Sequence, residues 1–259
     1  TYSFGGRTFG SPETDRPGPK DMRLAIVSSS NVYFYSLANE MGVDLIHDQL
    51  EPFGLGRKTG IDVLGEVTGD LPSQEWKRKK FRKPEQQKWY AGETISLGIG
   101  QGYNNFTMLQ LALATAVIAN DGVKMKPHLV REVVDVVTRA SRETLKEIKA
   151  ESIARPENIA VIKRALVGVN TEGTGATAFR GAPYVAAGKT GTAQVVTIKQ
   201  NEKYNAARMA ERLRDHALYM AFAPADNPKI ALAMVVENAG FGGVNAAPIA
   251  RRVFDYWLL

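Results

Sequence analysis

The stretch Val185-Ala186-Ala187-Gly188-Lys189-Thr190-Gly191-Thr192-Ala193-Gln194-Val195-Val196 decides the fold. Its small and β-branched residues read as a strand, yet a cation, two hydroxyls and two glycines sit in the middle. Glycine inside a strand weakens it and often marks a close approach by a ligand or another backbone. Lys189, Thr190 and Thr192 offer a positive charge and hydrogen-bond donors, so an anion such as a carboxylate is the natural guest. Lys-Thr-Gly alone is not specific. A second copy, Lys58-Thr59-Gly60, lies between Gly56-Arg57 and Ile61-Asp62 without a strand of small residues, and reads as a surface turn.

C-terminal to this stretch, residues 197–215 are highly charged, with a helical pattern from Ala206 to Leu213. Such a long insertion is placed to act as a flap. His216–Ala223 and Ile230–Val236 then read as two strands joined by the turn Asp226-Asn227-Pro228, a hairpin signal. Ala246–Trp257 is an amphipathic closing helix.

On the N-terminal side, residues 1–20 are rich in Gly and Pro and read as an irregular segment. A helical pattern runs from Asp21, breaks at Ser28-Ser29-Ser30-Asn31, resumes at Val32 and stops at Gly42. Serine and asparagine satisfy free N–H groups at helix starts, so Ser29-Ser30-Asn31 is either a cap or part of a site. Val43–Phe53 is a short amphipathic helix and residues 54–75 are rich in turns. Gly98-Ile99-Gly100-Gln101-Gly102 is not a dinucleotide fingerprint, because Tyr103 stands where the third glycine belongs. Met108–Ala119 is apolar nearly all round and therefore buried. Val133–Val137 is a short β run, Ser141–Ser152 a charged turn or helix, and Asn158–Val169 an amphipathic helix. Helices first and an antiparallel hairpin last make the fold α+β.

The 259 residues, 44% hydrophobic and 23% charged, suit one large domain or two small ones. Nearly all of the net charge of +6 lies between Glu75 and Lys88, where seven Lys and Arg face two Glu. Trp76, Phe81, Trp89 and Tyr90 surround that run. A solvated loop is the simpler reading than a nucleic-acid surface, with an acidic partner or anionic membrane next. The chain has no cysteine, which excludes disulfides, thiol catalysis and zinc–thiolate sites. Its three histidines show no ligand spacing, so neither a metal nor a cofactor is expected.

A Ser-x-Asn between two helices followed by Lys-Thr-Gly-Thr on a strand is two thirds of the set S-x-x-K, S-D-N, K-T-G. Tyr33-Phe34-Tyr35, Thr59–Asp62, Trp89–Ile95, Gly98–Gly102, Asn120-Asp121-Gly122, Gly188–Gln194 and His216-Ala217 extend the match. Together they resemble the class B penicillin-binding proteins, especially the penicillin-binding protein 2 (MrdA) branch, over nearly the whole chain. The resemblance implies the fold of penicillin-binding proteins and serine β-lactamases: an antiparallel sheet with helices packed on it and a helical subdomain. Residues 1–259 are then one partial transpeptidase domain. Its mainly helical portion is 1–170, with Ser-x-Asn; its sheet portion is 171–259, with Lys-Thr-Gly and the last helix. No Ser or Thr of the chain has Lys three places on. The chain is therefore expected to begin inside the domain, after the nucleophile, the membrane anchor and the N-terminal pedestal.

The implied reaction is peptidoglycan D,D-transpeptidation in cell elongation and rod-shape maintenance, on stem peptides ending in D-Ala-D-Ala, with β-lactams as inhibitors. The resemblance gives Ser29, Asn31 and Lys189 catalytic tasks. Ser29 relays a proton to the leaving amine, Asn31 binds the substrate amide, and Lys189 favours the anionic substrate and keeps the nucleophile's lysine neutral. Thr190 and Thr192 hold the terminal carboxylate, the Thr192 N–H joins the oxyanion hole, and Gly191 lets the substrate lie along the strand. Implied partners are a SEDS-type glycan polymerase and elongation-complex proteins, at the periplasmic face of the inner membrane. Nucleic acid is not among them. The chain alone is expected to be inactive. The alternative is a non-catalytic sensor or scaffold module of the same fold.

Overall fold

Three strands at the C-terminal end form the frame on which both halves of the candidate site are mounted. In the computed structural model, which describes residues 1–11, 15, 17–143, 150–196 and 209–259, the chain opens with β1 (Tyr2–Phe4) and β2 (Arg7–Phe9). It continues through α1 (Met22–Ser28), α2 (Asn31–Met41), α3 (Val43–Leu50), α4 (Gln74–Lys80), α5 (Pro84–Gln87), α6 (Ala91–Leu97) and α7 (Met108–Ala119). Four short strands follow, β3 (Val123–Met125), β4 (Glu132–Val134), β5 (Ser141–Glu143) and β6 (Ala150–Ser152). Then come α8 (Pro156–Thr171), α9 (Ala176–Phe179), β7 (Ala187–Ala193), β8 (His216–Ala223), β9 (Ile230–Val236), α10 (Gly242–Asn245) and α11 (Ala247–Leu258). The α+β reading holds.

β7, β8 and β9 form one antiparallel sheet in that order, with Lys189 opposite Met220 and Gly191 opposite Leu218. Alternation along β8 sorts its side chains between two layers. Ala217, Tyr219 and Ala221 pack with Phe179, Ala247, Ala250 and Phe254, which places α9 and α11 on one face. Phe222 points the other way and packs with Ala119 of α7, Ala187 of β7 and Leu166 of α8. Tyr219, Phe222 and Phe254 are fully buried, and burial of each stabilises the fold by about 1.5–3 kcal/mol.

α8 couples the sheet to the helical half. Ile26 of α1 meets Ala165 and Val169 of α8, with Met22, Phe34 and Ile162 around them. The end of α1 is thereby held over β7. α7 is buried on both sides, as its composition predicts: Ala114 packs with Leu55 and Leu71, while Ala119 meets the sheet. Its one buried amide, Gln110, donates to Arg57 O and Thr68 O at 2.6 Å each and accepts the Thr107 N–H at 3.0 Å. The turn-rich segment before α4 is tied to the core by these bonds.

Several expectations change. Residues 1–20 are not all irregular, since Gly5 and Gly6, both at positive φ, turn β1 into β2. The basic run is not a solvated loop. Residues 74–80 are helical, capped by Ser73 Oγ accepting the Trp76 N–H at 2.9 Å. Lys77 is buried: its Nζ donates to Glu93 Oε2 at 2.6 Å and Lys88 O at 2.8 Å, among the rings of Trp89, Tyr90 and Tyr103. The interleaved aromatics thus enclose an internal ion pair, while Arg78, Lys79, Lys80, Arg82 and Lys83 face solvent. The β run at 133–137 is strand only to Val134; Asp135 Oδ1 then accepts the Val137 and Thr138 N–H groups in a turn. The described ends of the 141–152 stretch are strands, β5 pairing with β4 and β6 with β3. Glu211–Leu213 is a single 3-10 turn. The remainder of the expected helix and the flap lie largely outside the described residues.

Candidate active site

α1 ends at Ser29, in the left-handed region at φ 56°. A non-glycine residue there is strained by about 1–2 kcal/mol. Two bonds hold the turn: Ser29 N–H to Ile26 O at 3.2 Å and Ser30 N–H to Ala25 O at 2.8 Å. The strained turn lifts the Ser29 hydroxyl toward β7, where Lys189 Nζ donates to Ser29 Oγ at 2.9 Å and to Thr190 O at 3.0 Å. Lys189 is partly buried, and desolvation pushes its ammonium pKa down to about 8. It is still mainly protonated at neutral pH, by about ten to one, and an incoming anion would restore its charge.

Ser30 and Asn31 are fixed from behind. Asp15 accepts hydrogen bonds from Ser11 Oγ at 2.5 Å and Ser30 Oγ at 2.7 Å, and pairs with Lys20 at 2.9 Å. Ser11 Oγ in turn accepts the Asn31 N–H at 2.9 Å. Burial pushes the Asp15 carboxyl up, but its bonds to Ser11, Ser30 and Lys20 outweigh this and hold it below the ordinary carboxylate range. Asn31 opens α2 with its Nδ2 donating to Tyr35 Oη at 3.4 Å.

On β7, Thr190 Oγ1 lies 2.6 Å from Thr174 Oγ1. Thr174 also lines a cleft of about 700 Å³ shared with Lys20, Leu24, Val27, Ser28 and Gly173. The two strand glycines have different reasons. A Cβ on Gly188 would lie 2.3 Å from Tyr219 Oη, so that glycine makes room for an internal hydroxyl rather than a ligand. Tyr219 Oη donates to Asn170 Oδ1 at 2.7 Å and Asn170 Nδ2 donates to Ala186 O at 3.0 Å, clamping β7 to α8. Near Gly191 the approach comes from α10: a Cβ on Gly242 would fall 2.4 Å from Gly191 O. At the end of β7, Gln101 Nε2 donates to Thr192 O at 2.8 Å.

The structure therefore brings Ser29 and Lys189 into contact, while the Asn31 side chain, two residues on, is bonded within its own helix. Thr190, Gly191 and Thr192 are consecutive on the same strand. The second Lys-Thr-Gly lies at the surface, as read, but in an irregular segment rather than a turn. Glu66 accepts from Thr59 N–H at 2.5 Å, Thr59 Oγ1 at 2.6 Å and Gly60 N–H at 3.1 Å, so its donors are occupied by an internal carboxylate. Sequence reasoning missed Asp15, Ser11, Thr174 and Gln101. No motif marks the first two; Thr174 was hidden between two turn glycines, and Gln101 sat in a run with no assigned task.

The family "Penicillin binding protein transpeptidase domain" matches residues 2–255. The Haemophilus influenzae "Peptidoglycan D,D-transpeptidase MrdA" is 42% identical over 245 residues, 93% of this chain and 37% of that protein. The structure of Pseudomonas aeruginosa PBP2 in complex with WCK 5153 superposes with a TM-score of 0.75 at 38% identity, over 92% of this chain and 47% of that one. The Helicobacter pylori PBP2 in complex with MreC gives 0.79 at 25% identity, over 99% and 44%. The chain thus spans less than half the length of these relatives.

Proposed function

The chain belongs to the penicillin-binding protein transpeptidase family, and from that premise we propose that it supplies the substrate-binding walls of a peptidoglycan D,D-transpeptidase active in cell elongation. The observation that carries the reading is the Lys189 Nζ–Ser29 Oγ contact at 2.9 Å. It joins the two motif halves into one donor chain facing the position where a carboxylate-bearing peptide would lie.

In this reading a serine and its lysine base, from a segment outside these 259 residues, complete the site. The serine Oγ bonds to the carbonyl carbon of the penultimate D-Ala, the C–N bond to the terminal D-Ala breaks, and the leaving amine takes a proton. An amine of a second stem then attacks the acyl-enzyme and releases the serine. Lys189, Thr190 and Thr192 hold the substrate carboxylate. The Ser29 hydroxyl, already in a hydrogen bond with Lys189, passes the proton to the leaving amine. Asn31 orients the substrate amide, and the Thr192 N–H stabilises the oxyanion, a donor worth about 10²–10³ in rate. β-Lactams would acylate the same serine. The MreC complex of the Helicobacter pylori relative supports an elongation-scaffold partner. A SEDS-type polymerase and a place at the periplasmic face of the inner membrane complete the proposal.

Intact-mass measurement with benzylpenicillin tests it. The 259-residue chain should gain no adduct, and protein extended upstream to include a Ser-x-x-Lys should gain one. An adduct on the short chain would show that the nucleophile lies within it. No adduct on the extended protein would favour the second reading, a sensor or scaffold, which the lack of Ser-x-x-Lys in the present sequence keeps in view.

A further inference from the structure

Gln101 lies in the Gly98–Gly102 run, to which the proposed mechanism assigns no task. The run is pressed against the helix that carries Asn31: a Cβ on Gly98 would fall 2.5 Å from Ala38 Cβ and 2.6 Å from Phe34 O. Gln101 N–H closes the turn on Ser96 O at 3.1 Å. From this fixed base the carboxamide reaches the end of β7 and the residue just past it. Nε2 donates to Thr192 O at 2.8 Å, and Oε1 accepts the Gln194 N–H at 3.4 Å.

Among the described residues, β7 is an edge strand whose sheet partner is β8 alone. Within a strand, the N–H and C=O of one residue point to the same edge, and every second residue shares that edge. Thr190, Thr192 and Gln194 therefore turn their backbone groups to the side away from β8. A carboxamide carries N–H donors and a carbonyl acceptor in one plane, and with one N–H on Thr192 O and its oxygen on Gln194 N–H it reproduces the pairing of a single strand residue.

We infer that Gln101 is a specificity-determining residue that terminates the peptide-accepting edge of β7 after Thr192. This rests on the transpeptidase reading, in which an acyl donor lies along β7 with its carboxylate at Lys189 and Thr190. Followed back from that carboxylate, the donor runs toward Gln194. Its scissile carbonyl meets the Thr192 N–H, and its next backbone groups meet the Gln101 carboxamide where a strand would otherwise continue. The side chain occupies the Gln194 N–H and one lone pair of Thr192 O. Residues of the donor N-terminal to the scissile unit thus gain no further pairing on this edge.

The test uses protein extended upstream to include the acylating serine, with two thioester analogues of the D-Ala-D-Ala terminus. One is acetylated directly on the acyl residue; the other carries two further residues N-terminal to it. In both, the serine Oγ–carbon bond forms and the carbon–sulfur bond breaks, so thiolate release reports acylation. Gln101→Ala uncovers a further hydrogen-bonding position, and the long-to-short ratio of kcat/KM should rise about fivefold, chiefly through KM of the long donor. Gln101→Glu keeps the acceptor for Gln194 N–H but loses the donor to Thr192 O, and its ratio should lie between. An unchanged ratio, or an equal fall for both donors, overturns the inference, because a merely structural glutamine would affect both alike. If the unsubstituted protein releases thiol from neither probe, the transpeptidase reading itself fails. The cap then stands or falls on amide exchange at Gln194, which should accelerate in Gln101→Ala; unchanged exchange overturns it.

Discussion

Lys189 Nζ lies 2.9 Å from Ser29 Oγ, a contact between residues 160 positions apart in the chain. Ser29 sits at the strained end of α1, Lys189 in the middle of β7, and α8 is packed against both. The lysine is therefore a fixed donor in a partly desolvated place, with a measurable electrostatic signature.

Lys189→Ala in the acylation-competent extended protein should lower the benzylpenicillin acylation rate by about 10²-fold or more, the scale of losing a preorganised charge-stabilising donor. Stopped-flow or gel-based acylation kinetics checks this. A rate within a few-fold of the unsubstituted protein would remove the role assigned to the strand.

Stability should rise with pH above 8. The Lys189 pKa is about 8 in the folded chain and about 10.4 when unfolded. Between these values the unfolded state binds more protons, so the folding free energy becomes more favourable as pH increases, then levels off above the unfolded pKa. From pH 7.5 to 9.5 the gain should be about 2 kcal/mol relative to Lys189→Met, in which this contribution is absent. Urea denaturation of both proteins at the two pH values measures it, and parallel curves would show that Lys189 is not desolvated.

Asp15→Ala should loosen the Ser29–Asn31 turn. It removes the acceptor shared by Ser11 and Ser30 and the partner of Lys20, leaving buried donors unsatisfied at about 1–3 kcal/mol each. Amide exchange at residues 29–31 should quicken while exchange in β8 stays slow. The folded-state pKa of Asp15 is held down, so its stabilisation is present at neutral pH and lost as pH falls through that depressed pKa.

Gly188→Ala should destabilise the sheet by about 1–3 kcal/mol, the usual penalty of overpacking, because the new methyl would meet Tyr219 Oη. Tyr219→Phe removes that oxygen, the nearest clash, but leaves Cζ of the ring 2.7 Å and Ala221 Cβ 3.0 Å from the new methyl, and it forfeits the bond to Asn170 Oδ1. The double variant should be more stable than the sum of the single effects predicts, with a coupling of about 1 kcal/mol or more. Simple additivity by thermal denaturation would mean that β7 relaxes around the methyl.

The sequence was most informative where local patterns are strong. The buried helix 108–119, the hairpin of β8 and β9, and the closing helix all follow from periodicity. They appear within a residue or two of the expected bounds. It was least informative where one long-range bond redefines a local pattern. The basic run reads as a solvated loop until Glu93 and three aromatic rings enclose Lys77. Gly188 reads as room for a ligand until Tyr219, a residue of the neighbouring strand, fills it.

By itself the sequence determined the α+β class, the order of the long helices and of the hairpin strands and, through the family resemblance of its motifs, Ser29, Asn31 and Lys189–Thr192 as candidate site residues, because residue type and spacing are local properties of the chain. Only the tertiary structure decided how they meet. That Lys189 donates to Ser29, that Asp15 pins the turn beneath it, and that Gln101 closes the strand edge depend on how α8 seats α1 against β7 and how α6 is pressed on α2. Such contacts are set by the packing of faces far apart in sequence, and no pattern along the chain encodes the distance between them.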